Sequence, residues 1–574
     1  MRRLIKALSL QNAVKYGGRA RKEPVVGKLV SQRPELKQKV GEIVSLVEEV
    51  VEEVNALTPE AQISLLQSFP EVLPREKPEV KEKVLTPLPN ARRGGVVTRF
   101  SPNPDFVLHL GSARAAILSH DYARMYDGRF ILRFEDTDPR IKRPVKQYYE
   151  LIRQDLMWLG CSWDEEHIQS QRLETYYQVA RGLLDKNAAY VCTCEADVFK
   201  SRLLRGEPCP DRNLPASEQL RRLEMMLNGG FEEGEAVFRV KTDLNHPNPA
   251  LRDWPALRII DTVRFPHPLT GSEYRVWPLY NFSCAIDDHL MGVTHVIRGV
   301  EHEVNELRQR QLFSLMGWVF PTAIHHGRLS VPGGVLSKSG MLKGLLEGLY
   351  SGLNDPRLAT LMSLKRRGFQ PEAIRRVVHE VGIRPSPAII EWSNLEAYNR
   401  KIVDASAHRR FVVLEPFKMR IEGVSEPLSI EIRLHPDHRE MGVRGFTFTP
   451  HEGFIEIYVE KRDVEFFRGS SMIRLLGLAN IGLDEVQRHE GRAHLIDYAV
   501  STALEAKAPI IHWVPVQDHV EVKILWSDGM WRRGLGEEGL LDEKVDNIIQ
   551  MERVGYARVE ATNESQVSLV FTHP

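Results

Sequence analysis

At 574 residues the chain exceeds what one hydrophobic core organises, and a usual domain size of roughly 100–200 residues divides it into about three to five units. Its 77 Lys and Arg residues cancel its 77 Asp and Glu residues, which excludes a global field for nucleic acid and leaves only local patches for that purpose. Apolar content of 42%, five cysteines and no apolar run near the ~18 residues of a membrane span point to an ordinary globular protein of a reducing compartment, the cytoplasm, with no membrane partner.

The opening "MRRLIKALSLQNAVKYGGRARKE" carries no acid before Glu23. That superficially resembles a transit peptide, but the stretch is poor in serine and is read as an ordinary basic N-terminal segment. From Leu36 the residues Val40, Ile43, Val44, Val47, Val51, Val54 and Leu57 recur at steps of three and four, with Glu48, Glu49, Glu52 and Glu53 between them, predicting an amphipathic helix. A second helix should start at "TPEAQISLLQSF", where Thr58 can cap and Pro59 suits the first helical position. Pro70, Pro74, Pro78, Pro87 and Pro89 then mark a linker, so residues 1–92 read as a helical appendix and linker.

"GGVVTRF" reads as a short buried strand, "SARAAILSHDYARMY" as a helix, "GRFILRFEDTD" as a strand and "KQYYELIRQDLMWLG" as a helix. This alternation predicts a parallel, doubly wound sheet whose ligands lie outside the carboxyl ends of its strands. The pattern breaks after residue 190 and resumes with "SCAIDDHLMGVTHVIRG", "NELRQRQLFSLMG" and "TAIHHGRLS". An insertion therefore splits the sheet domain, giving a first half over 93–190, an insertion over 191–275 and a second half over 276–345. "RLATLMSLKRRG" and "PEAIRRVVHEVG" predict a helical domain over 346–410, and short strands such as "LSIEIRL", "GFIEIYVE" and "HVEVKILW" a β-rich domain over 411–574.

Two motifs carry chemistry. In "RFSPNPDFVLHLGSARAAILSH" an imidazole and a bare glycine sit where a strand turns into a helix, a place where helix-start N–H groups and the dipole favour phosphate. In "GGVLSKSGM" a lysine lies between two hydroxyls in a glycine-bordered loop, able to neutralise charge that builds on a departing pyrophosphate. Either motif alone is consistent with a helix cap or a solvated loop. Their placement on opposite halves of one split sheet makes the pair specific.

"HLGS" at 109–112 and "VLSKS" at 335–339 resemble the HIGH and KMSKS signatures of class I aminoacyl-tRNA synthetases. Over roughly residues 90–410, "RFEDTDP", "PLYNFSCAIDDHLMGVTHVIRGVEH" and "NDPRLATLMSLKRRG" resemble more narrowly the glutamyl-tRNA synthetases of archaeal type. The resemblance implies a multidomain α/β fold: a class I synthetase Rossmann-like catalytic domain split by an insertion, a helical linker domain and C-terminal all-β barrels for the anticodon. It also implies activation of L-glutamate by ATP with Mg²⁺ and transfer to the 3′ end of tRNA(Glu), with tRNA(Gln) open as a second substrate and a monomer expected. His109 and Lys338 would be catalytic, and Gly111, Ser112, Ser337, Lys338 and Ser339 would bind ATP. The signature's second histidine is Ser112 here, which throws the phosphate contact onto His109.

The glutaminyl enzyme shares this plan, so the site must decide the amino acid. A glutamate side chain needs a cation suited to bidentate recognition, and Arg298 of "VIRG" supplies it. The related glutaminyl position resembles a cysteine. By the same resemblance Arg99 and Tyr280 would join Arg298 at the side-chain carboxylate, and Ser101 and Glu135 would hold the α-amino group. The alternatives are a glutaminyl-tRNA synthetase and a catalytically inactive tRNA-binding paralogue.

"YVCTCEADVF…GEPCPD" places Cys192, Cys194, Cys209 and Asp211 at a spacing that can close a tetrahedral zinc site, with three reduced structural cysteines as the alternative. Related synthetases carry a zinc element in this insertion. Basic clusters between the active site and the β-rich end, with Arg357, Arg366 and Arg367, are expected to meet the tRNA backbone.

Overall fold

The structure, a computed structural model, describes residues 1–15, 18–33, 36, 40–66, 68–69, 85–332, 337–464, 470–488 and 490–574. It falls into two units, Met1–Val84 and Leu85–Pro574. In the first, helices α1 (Arg2–Lys15), α2 (Lys22–Gln32), α3 (Val40–Asn55) and α4 (Pro59–Leu66) share one core. Ile5, Leu8 and Leu10 of α1 are buried there with Val47, Val50 and Val54 of α3, so the basic opening segment is part of a folded helical unit. The expected linker residues Pro70, Pro74 and Pro78 lie outside the described residues. Residues 85–92 belong to the second unit: Leu88 is buried in its core, and His295 Nε2 is 2.9 Å from the carbonyl of Pro89.

In the second unit, β1 (Val97–Phe100), β2 (Arg129–Phe134) and β3 (Glu165–Ile168) pair in parallel, with α5 (Leu110–Met125) and α6 (Lys146–Trp158) as crossovers. β2 is buried at every residue but Arg129 because both faces of the sheet are covered. Helix α7 (Leu173–Asp185) leads into the insertion. Its sheet is antiparallel: β4 (Ala189–Cys192), β5 (Val237–Val240), β6 (Pro255–Ile259) and β7 (Val276–Pro278), with α8 (Ala196–Arg205) and α9 (Ala216–Leu227) between β4 and β5. Helix α10 (Tyr280–Leu290) returns the chain to the parallel motif of β8 (His295–Gly299), α11 (Glu303–Met316) and β9 (Thr322–His326). Thr294, just before β8, donates its N–H to Val97 O at 2.9 Å, which sets this half beside β1.

Helix α12 (Lys338–Leu346) is followed by α13 (Leu361–Arg366), α14 (Pro371–Val381) and α15 (Trp392–Val403). Two seven-stranded sheets form the C-terminal part. One joins strands at 408–413 to those at 519–573, and the other holds 416–422, 454–460 and 473–515. The chain thus leaves the first sheet, builds the second and returns. Among the described residues no helix is long and apolar enough to cross a membrane.

Candidate active site

Outside the carboxyl ends of β1, β2 and β8 lies a cleft of about 780 Å³. Arg99, Ser101, His109, Gly111, Ser112, Glu135, Tyr280, Arg298 and Lys338, all singled out in the sequence, line it together. Two ends can be distinguished.

At one end the HLGS turn starts α5. His109 is the N-cap: its ring Nδ1 accepts the N–H of Ser112 at 3.2 Å, and the Ser112 hydroxyl accepts the His109 N–H at 2.9 Å. This reciprocal cap accounts for Ser112, whose hydroxyl also donates to His109 O at 2.8 Å while the residue lines the cleft. With Nδ1 accepting, a neutral His109 carries its hydrogen on Nε2, and burial holds its pKa below the usual histidine value. The glycine is required because a Cβ at Gly111 would lie 2.9 Å from His109 Cε1. The turn is sewn to the helical region, with Leu110 N–H donating to Ala359 O and Leu361 N–H to Leu108 O, each at 3.0 Å. Leu108 N–H in turn donates to Asp155, whose burial pushes its carboxyl up to about 7.

Of the second motif, Gly333, Gly334, Val335 and Leu336 lie outside the described residues. Ser337 caps α12 by accepting the Gly340 N–H at 3.2 Å, and Ser339 is exposed one residue beyond Lys338. Lys338 Nζ reaches across the cleft to pair with Asp105, in the loop that leads to the HLGS turn. Asp105 is a cleft residue that the sequence reading did not single out.

The other end is a buried network of charges. Asp288 on α10 accepts Arg99 Nε at 3.3 Å and Arg133 Nη1 at 2.7 Å, and the two guanidiniums hold its carboxyl below the usual range despite burial. Glu135 Oε1 accepts Arg133 Nη2 at 3.2 Å and the Cys284 thiol at 2.8 Å. Arg298 donates from Nε to His325 Nε2 at 3.3 Å and from Nη1 to Gln309 Oε1 at 2.9 Å. Its Nη2 is buried with no partner, as are the Ser101 hydroxyl and the side-chain oxygens of Asn103 and Asn281. Three guanidiniums (Arg99, Arg133, Arg298) against two carboxylates (Glu135, Asp288) leave one excess positive charge. Buried charge and orphaned polar atoms are costly unless a ligand completes them. Tyr280, whose phenol is pushed up by burial, lies tilted against His302 with ring centroids 5.4 Å apart, and burial lowers the His302 imidazole to about 4.

In the insertion, the ligand atoms of Cys192, Cys194, Cys209 and Asp211 lie within 4.8 Å of one another. Cys194 and Cys209 sulfurs are 3.1 Å apart, and the hydrogen bond from Cys209, with Arg239 near, pulls the Cys192 thiol down to about 6. Asp211 Oδ2 accepts the Thr193 N–H and hydroxyl at 2.8 and 2.9 Å, and Oδ1 lies 2.9 Å from Arg222.

The expected tRNA arginines fare differently. Arg367 is buried, donating to Thr572 O at 2.8 Å and stacked on Phe369 and Trp392, so its expected backbone contact is corrected: it packs the helical region onto a C-terminal strand. Arg366 is paired with Glu560 at 2.6 Å and Arg357 with Asp355 at 2.7 Å. The exposed cation of this turn is Lys365.

Two parallel strand groups, with the His109-capped turn after a strand of the first and Lys338 following the second, lie in a stretch that family models match. Residues 95–405 match the catalytic domain of tRNA synthetases class I (E and Q), and residues 407–499 and 510–560 match two anti-codon binding domain models of the same group. The chain belongs to the class I tRNA synthetases of the E and Q type. Within that class its relatives are named glutamate–tRNA ligase. That of Thermococcus kodakarensis is 49% identical over 100% of this chain and 99% of its own length. Those of Thermofilum pendens and Staphylothermus marinus are 48% and 42% identical, covering 100% and 98% of this chain and 99% and 100% of theirs.

Proposed function

We infer that the chain is a glutamate–tRNA ligase, which activates glutamate with ATP and transfers it to the 3′ end of tRNA(Glu). The single excess positive charge at the buried end of the cleft carries this reading. Glutamate brings one net negative charge, glutamine none, and a site built for the former pays an uncompensated charge with the latter. The unpartnered Nη2 of Arg298 is the donor for the side-chain carboxylate, with Arg99 and Tyr280 beside it, while Ser101 and Glu135 face the α-amino group.

The α-carboxylate attacks the ATP α-phosphate in line, and pyrophosphate leaves. Approximation and charge stabilisation suffice, and no side-chain nucleophile is needed. His109 donates from Nε2 to a phosphate oxygen, and Lys338 leaves Asp105 for the pyrophosphate, whose charge grows in the transition state. Mg²⁺ enters with ATP as part of the substrate.

Three thiolates and a carboxylate suit zinc, which Cys192, Cys194, Cys209 and Asp211 would hold, with Thr193 and Arg222 orienting the aspartate. Such clustered reduced thiols fit a cytoplasmic enzyme. Metal analysis of protein purified without added zinc should give one zinc per chain; a value near zero with unchanged stability in chelator refutes the site. In the second β sheet, a polar hollow of about 250 Å³, in which Lys418, Arg420 and Arg492 are interspersed with Glu456, Glu485 and Glu490, is where we place anticodon contacts, Arg420 lying 3.4 Å over the Phe454 ring. Lys365 is the backbone contact that replaces Arg367.

The testing experiment is charging of purified glutamate and glutamine tRNA isoacceptors with each amino acid. Glutamate on tRNA(Glu) is expected, and charging of glutamine in its place refutes the reading. The same experiment decides whether tRNA(Gln) is a second substrate, and sedimentation tests the expected monomer.

A further inference from the structure

Arg298 and His325 face each other as register partners on the parallel strands β8 and β9. His325 Nε2 accepts from Arg298 Nε at 3.3 Å, so in this contact the nitrogen bears no hydrogen and the ring's single hydrogen sits on Nδ1. Nδ1 lies 3.4 Å from Glu306 Oε2 on α11, an electrostatic contact, while Glu306 Oε1 accepts Arg310 Nε at 2.6 Å. One turn along α11, Gln309 accepts Arg298 Nη1. A guanidinium is planar, so fixing Nε and Nη1 fixes its plane and aims Nη2. Nη2 is the nitrogen left buried without a partner.

We propose that His325, accepting Arg298 Nε with one ring nitrogen and turning the other toward the Glu306 carboxylate, is a positioning residue that sets the orientation of Arg298 and thereby the enzyme's discrimination for glutamate. This rests on the reading that Arg298 receives the glutamate side chain. A carboxylate could not fill the place of His325, because it would neutralise Arg298 and remove the charge the substrate is selected by. A neutral imidazole accepts from Nε and leaves the charge available. Were the ring protonated, its lone pair would be lost and a second cation would face Arg298. Burial and Arg298 lower its pKa, while Glu301, Glu303 and Glu306 from the turn before α11 and its first turns act in the opposite sense; His326 is its chain neighbour.

The test compares four full-length proteins, wild type, Arg298→Cys, His325→Phe and His325→Gln, in glutamate-dependent ATP–pyrophosphate exchange with tRNA present. Arg298→Cys tests the underlying reading and should raise the glutamate KM most. His325→Phe should raise the glutamate KM about tenfold, with kcat, the ATP KM and the melting temperature near wild type, and His325→Gln, whose side-chain oxygen can accept from Nε, should return it to within about threefold. A raised KM in Arg298→Cys with an unchanged one in His325→Phe overturns the positioning role and leaves the reading intact. An unchanged KM in Arg298→Cys overturns both. A His325→Phe protein that loses kcat, ATP affinity and thermal stability together shows a merely structural histidine and also overturns the proposal.

Discussion

The two ends of the cleft are built on different terms. The amino-acid end is a buried lattice in which Arg99, Arg133 and Asp288 already hold one another and Arg298 is clamped by His325 and Gln309. The nucleotide end is conditional: its lysine sits on a helix start bordered by residues outside the described set and is paired with Asp105 rather than waiting free. On the proposed function, the amino-acid end would select by preorganised charge that only the right ligand completes, whereas the nucleotide end would exchange partners as charge moves. A mutation at the first should therefore change KM, and one at the second kcat.

The largest break in this contrast should come from Lys338→Ala. Removing a cation that acts on charge developing in the transition state should lower kcat about 10²- to 10³-fold with little change in either KM, measured by pyrophosphate exchange. Next, Arg298→Cys should raise the glutamate KM about a hundredfold while the ATP KM stays within about twofold, since a buried charge partner is lost at one end only. Gly111→Ala sharpens the contrast from the other side. Its Cβ would press on the His109 ring 2.9 Å away, so the ATP KM should rise about tenfold and the glutamate KM should hold.

The smallest effect concerns the anchoring of the HLGS turn by Asp155. Its carboxyl, pushed up to about 7 by burial, lies above an unfolded value near 4, so the native state holds more protons between these limits. Native stability therefore falls as pH rises through that window. Asp155→Asn keeps an acceptor for Leu108 N–H without the charge and should raise the melting temperature a few degrees at pH 8, the gain shrinking toward pH 5, by calorimetry.

Much of this was legible in the chain. Buried-strand runs such as "GRFILRF" and the helix-period segments between them foretell the parallel sheet, because local pattern and global burial agree there. The motif residues and Arg298 could be named because each has a chemistry that its residue type declares. What escaped was contact across elements. His325 and Glu306 lie 27 and 8 residues from Arg298 in sequence with no period linking them, and only the register of β8 on β9 brings the ring to the guanidinium. Ser112 reads as a substitute ligand, and its reciprocal cap with His109 shows only in the structure. In "KRRG" three cations look alike, but one residue along a helix turns a side chain by about 100°, which exposes Lys365, pairs Arg366 and buries Arg367. Helix α1 was hidden because its apolar residues are interspersed with basic ones and close a core only against α2, α3 and α4.

On the proposed function, one excess buried charge selects glutamate. This selection is tested most directly by ATP–pyrophosphate exchange of the wild-type protein with tRNA present, comparing glutamate with glutamine. Exchange should depend on glutamate, with kcat/KM for glutamine at least about a hundredfold lower; equal exchange with the two amino acids, or a preference for glutamine, would rule out selection by that charge.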